Sequence, residues 1–131
     1  MNITADTNVL VRAVVGDDAV QASRAVSILT KATLIAVTLP TLCEFVWVLC
    51  RVYDFRSADI SRAVRALMAA LNVTANHHAV EAGLLMLEAG GDFADGVIGF
   101  EGSWLGGETF VSFDKKAVAL FQAQGVSALL L

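Results

Sequence analysis

The chain has 131 residues, of which 56% are hydrophobic and 17% charged, and it carries a formal net charge of −4. Such a length fits a single domain spanning residues 1–131, and such a composition excludes intrinsic disorder. The acidic balance excludes binding nucleic acid through a broad basic surface, which needs many Lys and Arg contacts to phosphate, but not nucleic acid as a substrate, since a divalent cation loaded into a carboxylate pocket inverts the local field.

In chain order, residues 3–5 read as a short buried strand, followed by Asp6-Thr7-Asn8 and an apolar segment, 9–15, that can begin a helix. Residues 17–31 read as a second helix with Val20, Ala25, Ile28 and Leu29 on one side, and 34–37 as a second strand. Residues 41–53 have helical length but are apolar nearly all round, which predicts burial on more than one face and makes this helix the first candidate for a dimer contact. An amphipathic helix over 57–71, a short strand over 72–74 and a helix over 76–89 follow, the last ended by Gly90-Gly91. Then come a helix over 92–104, an alternating β run over 109–113, a helix over 115–124 and a last strand or tail over 126–130. Strands alternating with helices of crossover length predict a three-layer α/β/α sandwich around a mainly parallel sheet, whose chemistry collects at the carboxyl ends of the strands.

Acidic residues occupy those ends. Asp6 and Asp114 directly follow strands, Glu44 falls in the first turn of the helix after the second strand, and Asp92 and Asp95 fall in the first turn of the helix after Gly90-Gly91. Each has a plain alternative reading as a helix cap, with Thr41-x-x-Glu44 and Asp92-x-x-Asp95 resembling capping boxes. Capping explains the set less well than it explains each member, because neutral residues cap equally well and stand near other helix starts (Ser23, Ser57, Asn76). Carboxylates converging from several helix starts form a magnesium site: Mg2+ takes hard oxygen ligands and is held by a few carboxylates together with substrate phosphate. Mn2+ is expected to substitute.

Four segments, spread from one end of the chain to the other, carry a family resemblance. They are Asp6-Thr7-Asn8-Val9-Leu10, Glu44 with Val48, Leu49 and Arg51, Asp92-Phe93-Ala94-Asp95 with Ile98, and Ser112-Phe113-Asp114-Lys115-Lys116. In this order the sequence resembles PIN-domain proteins, and among them the VapC ribonuclease toxins of type II toxin–antitoxin pairs. The resemblance implies a magnesium-dependent endoribonuclease acting on RNA, a homodimer, and neutralisation by a cognate antitoxin protein bound near the active-site groove. Carried over residue by residue, it makes Asp6, Glu44, Asp95 and Asp114 the catalytic and metal-binding quartet and Asp92 an accessory acid. Thr7 and Asn8 match the polar residues that steady the first aspartate, Ser112 supports the last, and Arg51, Lys115 and Lys116 are candidates for RNA contact. The chain departs from the family where small alanines usually follow Asp95: Gly96, Gly99 and Phe100 stand there. Two helix-interior glycines cost about 1 kcal/mol each relative to Ala, so this helix is either packed very closely or irregular.

Other residues carry blander expectations. Cys43 and Cys50, seven apart in one helix and so ~10 Å apart, cannot pair with each other and are expected as buried apolar thiols. His77 and His78 are expected on the surface, and Trp47 in core or dimer packing, while Trp104 is open between packing and base stacking. No uncharged stretch reaches membrane-spanning length, and the N-terminal residues lack the basic and apolar regions of a secretory signal, which predicts a cytoplasmic protein without membrane contact. The alternative to an enzyme is a PIN-like binding module that keeps its acids but acts only by docking a partner.

Overall fold

The computed structural model describes residues 1–131. Its backbone contacts divide into two compact units, Met1–Asn76 and His77–Leu131.

The N-terminal unit is built on a three-stranded parallel sheet in the order β1 (Asn2–Thr4), β2 (Leu34–Ala36), β3 (Val73–Thr74). Its register pairs Asn2 with Leu34 and Thr4 with Ala36, then Ala36 with Thr74. The helices α1 (Thr7–Val15), α2 (Ala19–Lys31), α3 (Leu39–Arg51) and α4 (Ser57–Ala69) connect these strands. Parallel strands require such crossovers, so every strand of this sheet ends on the same edge. Leu10, Ile35, Leu42, Phe45, Leu49, Ile60 and Val64 are almost fully buried and form its core. Asn72 fixes the entry to β3 by donating from Nδ2 to the carbonyls of Leu29 and Ala32, both 3.0 Å away, at the end of α2.

The C-terminal unit pairs two helices, α5 (His77–Glu88) and α6 (Phe93–Trp104), with a two-stranded parallel sheet of β4 (Phe110–Ser112) and β5 (Ala128–Leu130) joined through α7 (Lys115–Ala123). Phe93, Val97, Leu84, Met86 and Phe121 are buried, and the Phe110 and Phe121 rings pack with centroids 4.4 Å apart. Helix α6 is continuous, which decides between the two readings of its glycines. A Cβ on Gly96 would overlap the Ala82 carbonyl oxygen and lie 2.8 Å from the Gly83 Cα, and one on Gly99 would lie 2.7 Å from the Phe121 ring. Gly96 lets α6 approach α5 nearly backbone to backbone and Gly99 makes room for the Phe121 ring of α7, and the lost helix propensity is offset by that close packing.

Seven helices with strands that pair only in parallel realise the α/β class read from the sequence. Several local expectations need correction. Helix α3 begins at Leu39 with Thr38 as its N-cap and Pro40 in the first turn, two residues before the sequence reading. Glu44 therefore lies in the second turn and no Thr41–Glu44 capping box forms. Of the caps, Ser57 follows Arg56, which makes no side-chain cap bond, and Ser23 lies inside α2, whose cap is Asp18. Aspartate is thus this chain's usual cap, at Asp6, Asp18, Asp92 and Asp114, and at Asp18 capping alone suffices. Cys50 is exposed and Cys43 only half-buried, because the two, seven residues apart, lie along the flank of the α3 face formed by Leu42, Phe45 and Leu49 and not within it. Trp47, at 59% exposure, stands outside the core, and Val20 is exposed as well. No helix is long and apolar enough to cross a membrane.

Candidate active site

In the N-terminal unit, β1 hands the chain to Asp6 at the carboxyl edge of the sheet, and β2 hands it to Thr38 and α3 at the same edge. Asp6 caps α1, its Oδ1 accepting from the Thr7 backbone N–H at 2.8 Å. The Thr7 side chain is buried, and its hydroxyl donates a short hydrogen bond to Glu44 Oε1. That bond ties the start of α1 to the second turn of α3, so the two carboxylates share one hinge residue. Asp6 and Glu44 line a groove of about 340 Å3 together with Thr7, Asn8, Val11, Arg12, Val48, Val52 and Tyr53. Thr7 thus steadies Glu44 by its side chain and Asp6 by its backbone. Arg51 ends α3, exposed, and does not line this groove; Arg12 does.

A group that the sequence reading passed over completes the groove. Arg12 donates from Nε to Gln21 Oε1 at 2.6 Å and from Nη1 to Asp17 Oδ1 at 3.1 Å and to the Tyr53 hydroxyl at 3.4 Å. The Tyr53 hydroxyl in turn donates to Asp17 Oδ2 at 3.1 Å. Desolvation pushes the Asp17 carboxyl up, but the Tyr53 hydrogen bond and the Arg12 charge outweigh it and leave the group below its ordinary range. The one available signal was spacing: Arg12 and Asp17 flank Gly16, whose left-handed backbone (φ 70°) ends α1 and turns the chain back.

In the C-terminal unit, Asp92, Asp95 and Asp114 line one small pocket with Gly90, Gly91, Lys116 and Ala117. Asp92 caps α6 by accepting from the Ala94 N–H at 3.2 Å, and Asp114 caps α7 by accepting from the Lys116 and Ala117 N–H groups at 2.9 and 3.1 Å. Ser112 supports Asp114, its Oγ accepting from the Asp114 N–H at 2.9 Å. Asp95 stands in the first turn of α6, half-buried, one residue before the contact of Gly96 with α5. Desolvation pushes its carboxyl above the ordinary range, and the negative charges of Asp92 and Asp114 push it the same way. Lys116 borders this pocket and Lys115 does not. Within neither unit do three His, Cys, Asp or Glu side chains gather closely enough to hold a metal by themselves. His77 and His78 are exposed, as is Trp104.

The sequence matches the PIN-domain family over residues 3–119, a stretch that includes every acid described above and runs through both units. The chain belongs to the PIN-domain family. No curated protein is significantly similar to it in sequence. PIN domains are in general nucleases and typically use divalent metal ions. The residues of this PIN domain fit such an ion: the donors are carboxylate oxygens, hard ligands of the kind Mg2+ takes, and the mutual repulsion felt by Asp95 is the strain a cation relieves.

Proposed function

We propose that this PIN domain is a magnesium-dependent endoribonuclease whose metal ligands are Asp6, Glu44, Asp95 and Asp114, with Asp92 as an accessory acid. The observation that carries the reading is that each unit by itself orders a set of carboxylates. The first unit offers two, tied through Thr7 at the carboxyl edge of a parallel sheet; the second offers three around one pocket. Capping explains one oxygen each of Asp6, Asp92 and Asp114, but not Glu44, which is off the first turn, nor Asp95, which burial, and after it the charges of Asp92 and Asp114, drive toward protonation. A bound divalent ion would activate water and offset the charge that builds on the phosphate during hydrolysis. The chain's own part is to hold acids apart and oriented. Thr7 fixes Glu44, Ser112 and the α7 backbone fix Asp114, and the α5–α6 contact fixes Asp95. Lys116, on the edge of the acidic pocket, would meet RNA phosphate, with Lys115 and Arg51, which do not line that pocket, as further candidates. By the VapC resemblance, the proposal extends to a cytoplasmic toxin that forms a homodimer and is neutralised by an antitoxin protein.

The test is cleavage of a panel of structured RNAs, with single- and double-stranded DNA alongside, in magnesium, manganese and chelator. Wild type is compared with Asp6→Asn and Asp95→Asn, which control for contaminating nuclease. Cutting of RNA that needs the metal and is abolished by both substitutions supports the proposal. Absence of cutting by folded wild type, free of any antitoxin, favours a PIN-like binding module.

A further inference from the structure

The groove that holds Asp6 and Glu44 has a second end. Along its length Val11, Val48 and Val52 supply apolar surface, and beyond them stand Arg12 and the Tyr53 ring. About 340 Å3 is within the range of small-molecule sites. The far end is rigidly built. Arg12 is held by Gln21, Asp17 and Tyr53, and the chain carrying Tyr53 is pinned by the Tyr53 N–H to the Val48 carbonyl and the Phe55 N–H to the Leu49 carbonyl, at 3.3 and 2.9 Å. Asp54, the one non-glycine residue with positive φ (57°), makes that turn possible.

We propose that this end of the groove seats the nucleobase of a nucleotide adjoining the cleaved phosphate, with Arg12 and Tyr53 as specificity-determining residues and Asp17 and Gln21 as positioning residues. The assignment rests on the nuclease reading above and adds to it the part of the substrate that is read. The ligand is a base rather than a further phosphate because of charge. Asp17 pairs with Arg12 at 3.1 Å, so the guanidinium contributes a flat face and directional N–H groups without net positive charge. A phosphate there would meet an already neutralised cation and stand in the same groove as two carboxylates. A neutral, planar base meets an aromatic ring, a guanidinium plane and valine surface, the elements on which unpaired RNA bases stack. The ends of the groove then divide the labour: carboxylates face the phosphodiester, and the Arg12–Tyr53 pair faces the base.

The experiment follows the Arg12 Nε–H and the Tyr53 amide of the full chain by nuclear magnetic resonance in chelator. The probes are adenosine, guanosine, cytidine and uridine, with ribose 5-phosphate as the control. Base-dependent, saturable shifts at both groups are expected, with affinity about tenfold weaker in Tyr53→Ala, the loss that removing one stacking ring gives. Tyr53→Phe, which keeps the ring and removes the hydroxyl's bonds to Arg12 and Asp17, should bind but discriminate less; with Gln21→Ala it keeps the test decisive if Tyr53→Ala does not fold. In parallel, the bases flanking each cut are mapped on a randomised single-stranded RNA, where the Tyr53 variants should change base preference through KM more than kcat. The subsite is overturned if no nucleoside shifts either group, if ribose 5-phosphate shifts them equally, or if the variants cut with unchanged base preference. Base-dependent shifts in a wild type that cuts no RNA would instead keep the subsite and refute the nuclease reading.

Discussion

The two units arm their carboxylates by opposite means. In the first, Asp6 and Glu44 are exposed, and one buried residue at a sheet edge orders both: the Thr7 hydroxyl donates to Glu44 and the Thr7 backbone N–H to Asp6. In the second, Asp95 is half-buried, crowded by Asp92 and Asp114, and ordered by helices packed so closely that only glycine fits at position 96. The first arrangement leaves its acids open to solvent. The second raises the free energy of the ionised, metal-free state and so couples metal binding to folding.

Substitutions that exchange one arrangement for the other sharpen this contrast. The largest effect is expected from Gly96→Val, which drives a branched side chain into the α5 backbone; a loss of about 3 kcal/mol or more, at the upper end for overpacking, should appear in urea unfolding, with the C-terminal unit most affected. If Gly96→Val is tolerated, close packing does not order Asp95. Next comes Thr7→Val, which keeps the shape of a buried side chain but removes the donor to Glu44. Its cost should fall on divalent-metal affinity, roughly 10- to 100-fold by calorimetry as for other groups that orient ligands, with only ~1 kcal/mol lost from stability, and Thr7→Ser should recover most of it.

Third is the pH dependence of the metal-free protein. Because the Asp95 carboxyl sits above its ordinary range when folded, its protonated form favours the native state, and that contribution is full at low pH and is lost as pH rises through the raised value. Asp95→Asn should therefore raise the thermal midpoint of the metal-free protein at neutral pH and lose that advantage in acid; magnesium should stabilise wild type at neutral pH and not the variant. An unchanged midpoint at neutral pH would remove the repulsion from the account. The smallest effects are expected away from both sites. Gly102→Ala, in α6 but with open space around its added methyl, should stabilise by up to ~1 kcal/mol. Asp59→Asn, which loses exposed ion pairs to Arg56 and Arg62, should change stability by less than ~0.5 kcal/mol in chemical denaturation.

The sequence by itself determined what depends on neighbours along the chain. Strand-then-acid junctions put Asp6 and Asp114 at strand ends, the spacing of apolar residues gave the helices, and the ordered motifs from Asp6 to Asp114 carried the PIN-domain resemblance that the family match bears out. Local rules failed where two readings share one composition. Thr38 and Thr41 are both good caps, and Pro40, favoured in the first turn, draws the start of α3 back to Leu39 and moves Glu44 off the cap. Cys50 and Trp47 look like core residues by type, but a helix 13 residues long turns some apolar side chains outward whatever their hydrophobicity.

Only the tertiary structure decided the rest, because it depends on distances between residues far apart in sequence. Thr7 meets Glu44 across 37 positions, and Tyr53 meets Asp17 across 36. Gly96 reads as a helix defect until the Ala82 carbonyl is found against it. Burial and repulsion likewise make Asp95 unlike the other acids, although all of them are written in the sequence as carboxylates in similar company. Residue type and spacing assign the chemistry a side chain can offer; which partner holds it, and how hard its charge is pressed, are properties of packing.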